Sequence, residues 1–315
     1  MQRIVDAVGG IRIGEAMVYR NLTIFPLFGS HARAADYLTL DEALEKKCSK
    51  ITEVSEGGSV PELKFVNSGS QPVFLLDGEQ LIGAKQNRVL NLSILVAAGK
   101  TLIVPVSCVE AGRWSRGTSH FSSDDSLHYA EGRARKMSYV SASMRTSGQR
   151  TSDQAKVWGD IREKSAKFRV FSETEAMSDI YEHQKASLKD YVSAFSVLEG
   201  QTGALFAIGE RVAGLELFDS AETLRKLFPK LMRSYGLDAL DHARSKRSRK
   251  EARCTPQKAN EFLEKVAEAK AEEFPAVGEG LDIRLSGSKL TGAALFAEDR
   301  IIHLSAFTME NSKAN

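Results

Sequence analysis

Apolar residues fall in short runs over the first third of the chain, then at three- and four-residue spacing over much of the rest. Leu22 to Phe28 is apolar and stops at Gly29, which predicts a strand. Leu40 to Lys46 reads as a short helix, with Asp41 and Glu42 favourable near its positive N-terminal end. Val60 to Asn67, Val73 to Leu76, Val89 to Val96 and Leu102 to Cys108 read as further strands. Asp77-Gly78 between apolar runs signals a hairpin, because glycine accepts the positive φ of a tight turn. A second turn is expected at Ala98-Gly99-Lys100.

From Ser115 to Ser152 the pattern lapses into Ser, Gly, Arg and Asp with few bulky apolar residues, which reads as a long polar surface loop. Periodicity then returns. Ser172 to Leu198 repeats at helical spacing through Met177, Ile180, Tyr181, Leu188, Tyr191, Val192 and Phe195. Residues 203–218 predict a hairpin turning at Gly209-Glu210. Asp219 and Glu222 resemble a capping box, and Pro229 is expected to kink or divide the helix that follows. Thr255-Pro256 opens another helix, with Ala259, Phe262, Leu263 and Val266 inward. Residues 281–307 read as a three-stranded meander. The fold class is therefore α+β. An antiparallel, sandwich-like β region over 1–114 carries the candidate site, and a polar loop over 115–152 follows. A helical part over 153–315, with the hairpin and the meander, packs on the first region as one unit.

Composition narrows the function classes. The 315 residues carry 43 basic and 41 acidic side chains, a net +2, so no global field favours nucleic acid or a membrane surface. The basic run Arg244 to Arg249 has no aromatic interleaving and reads as a solvated helix end. No apolar run approaches the roughly 18 residues that span a bilayer, and Met1 to Gly14 lacks a secretory pattern. Cys48, Cys108 and Cys254 are odd in number and widely spaced, with no zinc spacing. A reducing cytoplasmic compartment is the expectation. No metal, cofactor or oligomeric state is specified.

Chemistry concentrates between Leu76 and Trp114. Asp77, Glu79, Lys85, Gln86, Asn87 and Arg88 adjoin one apolar strand, and Cys108, Glu110, Arg113 and Trp114 end another. Polar groups buried there need partners, since an unmade hydrogen bond costs about 1–3 kcal/mol. Alternation puts Cys108 and Glu110 on one face if the strand continues. Glu79 and Glu110 form a candidate carboxylate pair for proton transfer or a divalent metal. Gln86 and Asn87 suit an amide or ribose, and Arg88 and Arg113 suit a phosphate or carboxylate. Cys108 is a secondary nucleophile candidate, and His303 a candidate acid/base partner from the final meander. His120 and His128 are placed in the 115–152 loop, as part of a lid. Trp158 and Tyr235 are candidate aromatic walls. The alternatives stay open at this stage: a plain Asp-Gly turn, a core cysteine, a solvated Lys85 to Arg88 loop, a stacked Arg113-Trp114 pair, core aromatics.

Several strings together resemble one family. They are Phe25-Pro26-Leu27, Tyr37-Leu38-Thr39-Leu40, Val54-Ser55-Glu56-Gly57-Gly58-Ser59-Val60, Asp77-Gly78-Glu79, Gly83-Ala84-Lys85-Gln86-Asn87-Arg88, and Pro105 to Glu110 with Arg113-Trp114. The family is the ADP-ribosylglycohydrolase- and rhodanese-phosphatase-associated protein domain. The likeness is densest over Leu22 to Trp114 and extends to about Phe307. It implies a link to NAD and ADP-ribose systems and raises the weight on the Asp77–Arg88 and Cys108–Trp114 residues as a site. Neither a Gly-x-Gly-x-x-Gly fingerprint nor a phosphate-loop Gly-Lys-Ser/Thr string accompanies it. The expected function is ligand binding or a hydrolase-like activity on an NAD- or ADP-ribose-related small molecule. The alternative is a non-catalytic sensor or partner-binding module using the same residues and the 115–152 loop.

Overall fold

A computed structural model describes residues 2–29, 33–114, 118, 120–245 and 252–309. The first part of the chain forms α1 (Gln2–Gly9), β1 (Arg12–Ile13), β2 (Met17–Tyr19), β3 (Leu22–Phe28), β4 (Leu38–Thr39), α2 (Leu40–Glu45), β5 (Ser49–Glu53) and β6 (Glu62–Asn67). Next come β7 (Val73–Leu75), β8 (Glu79–Gly83), β9 (Arg88–Leu90), β10 (Ile94–Val96), β11 (Thr101–Cys108) and β12 (Phe121–Leu127). Helices α3 (Ala130–Ser147), α4 (Gln154–Phe168), α5 (Met177–His183) and α6 (Lys185–Ser193) follow, then β13 (Gly203–Ile208) and β14 (Arg211–Phe218). The last elements are α7 (Ala221–Ser245), α8 (Pro256–Ala267), β15 (Lys270–Pro275), β16 (Leu281–Gly287), β17 (Leu290–Ala297) and β18 (Arg300–Thr308).

The α+β class holds. Three sheets organise the strands. A nine-stranded sheet runs β1-β3-β13-β14-β18-β17-β16-β15, with β2 added against β3. A six-stranded sheet runs β12-β8-β9-β11-β6-β5, and a short one runs β10-β7-β4. The expected hairpin and meander belong to the same sheet, and so does the early strand Leu22–Phe28, which pairs with β13. The six-stranded sheet curls until its outer strands β5 and β12 meet.

Two expected continuities break at one place. Asp77-Gly78 forms a turn but no hairpin: β7 pairs with β10, whereas β8 pairs with β9 and β12. Likewise the run Val89 to Val96 splits into β9 and β10, which belong to different sheets. The chain thus crosses between sheets twice, side by side. The amide of Gly78 donates to the Leu90 carbonyl at 2.9 Å, and that of Asp77 to Ser93 Oγ at 3.0 Å.

The expected polar loop is corrected most. Residues 121–127 are strand and residues 130–147 an 18-residue helix. The buried face of α3 is Ala130, Arg133, Ala134, Lys136, Met137, Val140, Ser141 and Met144, a helical stripe written partly in charged and small residues. A search for bulky apolar spacing misses it for that reason. His128, expected on a mobile lid, is buried against Tyr129 with ring centroids 4.9 Å apart. Burial, reinforced by Lys136 and Arg133, holds its pKa well below the usual value and so keeps it neutral.

Smaller corrections follow the same logic. Ser220, not Asp219, caps α7: its hydroxyl accepts from the Glu222 and Thr223 amides. Asp219 instead binds Tyr37 and Arg300. Helix α7 runs through Pro229 without division. Thr255 caps α8 with Pro256 at its start, as expected, and Ala259, Phe262, Leu263 and Val266 are buried. The basic run beyond Ser245 lies outside the described residues. Helix α7 packs its Leu224, Leu227, Leu231 and Tyr235 into the core between sheets. Each such fully buried side chain contributes about 1.5–3 kcal/mol.

Candidate functional site

The eleven candidate residues do not form one pocket. They divide among three clusters.

The first cluster joins the loop before β9 to the end of β11. Cys108 stands opposite Arg88 in the register of β11 and β9. Strand β11 ends there because Gln154 of α4 takes over the backbone of Cys108, accepting from its N–H and donating to its C=O at 2.8 Å each. Gln86 Oε1 accepts from Arg88 Nη1 at 2.9 Å and from the Cys108 thiol at 3.1 Å. The thiol also approaches the Glu110 backbone carbonyl, not its carboxylate, at 3.2 Å. Burial pushes the Cys108 thiol above its ordinary pKa, with Arg88 only partly opposing. That keeps it protonated and argues against the nucleophile role.

Glu110 is locked rather than poised. Its carboxylate accepts from Arg113 Nε at 2.9 Å and Nη2 at 2.7 Å, and from the Asn87 amide at 2.9 Å. Burial raises its pKa, but Arg113 and the Asn87 amide overcome that and leave it below the ordinary carboxylate range. Arg113 further donates to the Ala84 carbonyl at 2.9 Å and to Asn87 Oδ1 at 3.2 Å. Of the two expected phosphate clamps, Arg113 is therefore committed to the loop. Arg88 is not: its Nε and Nη2 are buried and have no partner among the described residues. Trp114, 48% exposed, lies over it at 5.7 Å, and Lys85 lies 5.2 Å from the same ring. Lys85 also donates to the Gly57 carbonyl at 2.5 Å, which ties this cluster to the loop after β5.

The second cluster collects Asp77 and His303 at the sheet crossing. Lys136 donates to Asp77 and to the Leu90 carbonyl, and Arg133 Nε lies 3.5 Å from Asp77 Oδ2. Arg133 also binds Glu216 of β14 at 2.6 Å, and Glu216 binds His303 at 3.0 Å. Ser93 completes the chain at 2.9 Å from His303 Nδ1. Gly78 makes the approach possible: it sits at φ 84°, and a Cβ there would stand 2.8 Å from Arg133.

The third cluster holds Glu79. Lys230 of α7 bridges it at 3.0 Å to Asp41 at 2.8 Å and Ser123 at 2.9 Å. Burial raises the Glu79 pKa and Lys230 only partly offsets it. The expected Glu79–Glu110 carboxylate pair is not formed, since the two bind different cations. Among the described residues no group of three or more His, Cys, Asp or Glu side chains suits a metal ion. A groove of about 760 Å³ opens between α2, β5 and β12, lined by Asp41, Ser49, Lys50, His120, Phe121 and Ser123 among others. No residue of the first cluster lines it.

Ser93, Arg133, Lys136, Glu216, Lys230 and Gln154 were not singled out from the sequence. Arg133 and Lys136 carry a usable signal, because both fall on the Ala130 to Met144 stripe. Tyr235, expected as an aromatic wall, is a core residue stacked on Phe206 with centroids 3.9 Å apart.

The sequence places the chain in a family. Residues 10–307 match the ARG and Rhodanese-Phosphatase-superfamily-associated Protein domain, ARPP-1, and the chain belongs to that family. No curated protein and no solved structure gives a significant match. No helix of the described residues is long and apolar enough to cross a membrane.

Proposed function

We propose that this protein binds an NAD- or ADP-ribose-related small molecule at the Arg88–Trp114 patch. One observation carries the reading: the buried Arg88 guanidinium keeps two donor nitrogens, Nε and Nη2, without a partner among the described residues, directly beneath a half-exposed tryptophan. A buried cationic donor left unpaired is costly, and an anionic oxygen is the partner it fits. Trp114 offers a face on which a planar base stacks, and Lys85 adds a second cation beside it. Pyrophosphate and adenine on one molecule match that pairing of donor and ring. The family's association with the ARG superfamily points the same way.

Binding is favoured over catalysis at this patch. Cys108 is kept protonated and Glu110 is held by Arg113, so neither is free to move a proton. Asn87 and Gln86 act as fixed struts of the loop. For the alternative, a non-catalytic sensor or partner-binding module using the same residues and the 115–152 segment, residues 121–127 are strand and 130–147 helix and not an open loop.

Titration with ADP-ribose, followed by tryptophan fluorescence and by thermal shift, tests the proposal. Saturation at about 100 times Kd raises stability by about 2.7 kcal/mol. Trp114→Ala is expected to weaken binding roughly tenfold, as loss of one base stack costs about 1–3 kcal/mol. Arg88→Lys removes the fork and is expected to cost at least tenfold, since hydrogen bonds to charged groups contribute about 1.5–3 kcal/mol. No response to ADP-ribose or NAD from the folded protein rejects the reading.

A further inference from the structure

Glu53 ends β5, and the curl of the six-stranded sheet gives it a place in the first cluster. Strands β6 and β11 lie between β5 and β9 in the sheet order, yet the end of β5 returns to the loop before β9. There the Lys85 amide donates to Glu53 Oε1 at 3.4 Å. A Cβ on Gly58 would stand 3.3 Å from Glu53 Oε2 and 3.1 Å from Lys85 Cδ, so the loop after β5 lies on both side chains. Glu53 Oε2 is buried and has no hydrogen-bond partner among the described residues.

The Arg88 guanidinium is unpartnered along one particular edge. Nη1 donates to Gln86, while Nε and Nη2, the two nitrogens whose N–H bonds run parallel, have no partner among the described residues. That edge matches two oxygens of one phosphate or carboxylate. Burial works against the charge on Arg88, and Glu53 is among the neighbours whose charge supports it. The two do not bond, however: a buried acceptor and a buried donor edge stand near each other, and each lacks a partner. Each is costly alone. A ligand that offers acceptors to one and hydroxyls to the other satisfies both. Arg88 and Lys85 lie against the Trp114 ring, 5.7 and 5.2 Å from its centre. Arg88 has no solvent contact and Trp114 is half-exposed, so a ligand reaches the edge by displacing that ring.

We propose that Glu53 reads the sugar at the Arg88 patch, accepting from the 2′- and 3′-hydroxyls of the ribose that joins phosphate to base. The assignment rests on the reading that this patch binds an ADP-ribose-related molecule. The phosphate lies on the Arg88 edge and the base takes the Trp114 face. The ribose between them turns its diol to Glu53 Oε2. A carboxylate oxygen accepts two hydrogen bonds and donates none, which fits a pair of adjacent hydroxyls. The ligand class narrows to ribonucleotides with both hydroxyls free. A deoxy sugar leaves Oε2 buried and unpaired, and a phosphate on either hydroxyl sets like charge against it.

Isothermal titration of the folded full chain with ADP-ribose, ADP and 2′,3′-dideoxy-ADP tests this. ADP-ribose and ADP are expected to bind. The dideoxy nucleotide, identical in phosphate and base, is expected to bind about tenfold or more weakly. Glu53→Ala is expected to bind ADP about tenfold more weakly than wild type and to lose the preference, leaving the two nucleotides within about twofold of each other. An equal loss for both nucleotides in Glu53→Ala, the mark of a purely structural residue, overturns the assignment. So do equal wild-type affinities for ADP and its dideoxy form, and so does binding of ADP-ribose without ADP. The wild-type comparison decides by itself where Glu53→Ala does not fold. Each of these failures leaves the binding reading of the patch standing. A chain that binds none of the three ligands loses that reading, and the assignment of Glu53 falls with it.

Discussion

Glu110 and Arg88 carry opposite lessons at the scale of single residues. Both looked like candidate chemistry, and both are charged groups beside apolar strands. Glu110 is saturated by Arg113 and the Asn87 amide, whereas Arg88 keeps buried donors in hand. Satisfaction, not residue type, separates a strut from a binding group. The locked carboxylate has a pH signature. Its folded-state pKa lies below the ordinary 4.5, so the unfolded chain binds the proton more readily. The stability it contributes is present above the ordinary value and is lost as pH falls through the lower folded-state pKa. Urea unfolding between about pH 6 and pH 3 should therefore show a shallower acid loss for Glu110→Gln than for wild type. Equal acid slopes would reject the locked carboxylate.

Helix α3 is the informative case at the scale of elements. Its sequence offers Ala, Gly, Arg, Lys and Ser where a core helix usually shows Leu or Ile, and the buried face is nonetheless continuous. Gly132 shows why small residues are needed: a Cβ there would stand 2.3 Å from His128 Nε2. Gly132→Ala is expected to lower stability by about 1–3 kcal/mol despite its better helix propensity, because overpacking outweighs propensity. Gly159 in α4 is the contrast, with nothing within 4 Å of the added Cβ. Gly159→Ala should stabilise by about 0.5–1 kcal/mol. Denaturant melts of the two variants decide it, and effects of the same sign would refute the packing argument. Helix α2 and helix α8, by contrast, begin where Asp41 and Glu42 and the Thr255-Pro256 start say they should. Local signals located them because local interactions make them.

Across the whole molecule, three sheets are tied by charges placed inside. Lys136 and Arg133 reach from α3 to Asp77 at the sheet crossing, and Arg133 continues to Glu216 on the nine-stranded sheet. All four side chains are essentially without solvent contact. Breaking one half of such a buried pair leaves an uncompensated charge, at about 3–5 kcal/mol. Lys136→Met alone should therefore cost about that much, and adding Asp77→Asn should recover a large part of it. Urea midpoints of the two single variants and the double variant measure the coupling, and simple additivity would show that the pair is not coupled.

The division between sequence and tertiary structure follows from range. Periodicity, caps and turn residues are local, so the sequence by itself determined the α+β class, the 203–218 hairpin, the closing meander and the Thr255-Pro256 helix start. The Gln86-Asn87-Arg88 and Cys108 to Trp114 strings were legible as a unit, and they do meet across β9 and β11. Which sheet each strand joins was not legible, because register and crossing depend on partners far along the chain. The Asp77-Gly78 turn therefore looked like a hairpin when it is a passage between sheets. Only tertiary structure assigned Glu79 to Lys230, Asp77 to Lys136 and His303 to Ser93, pairings across 59 to 210 residues. A buried charge is tolerated only where its counter-charge arrives, and the folded backbone, not the order of residues, decides who arrives.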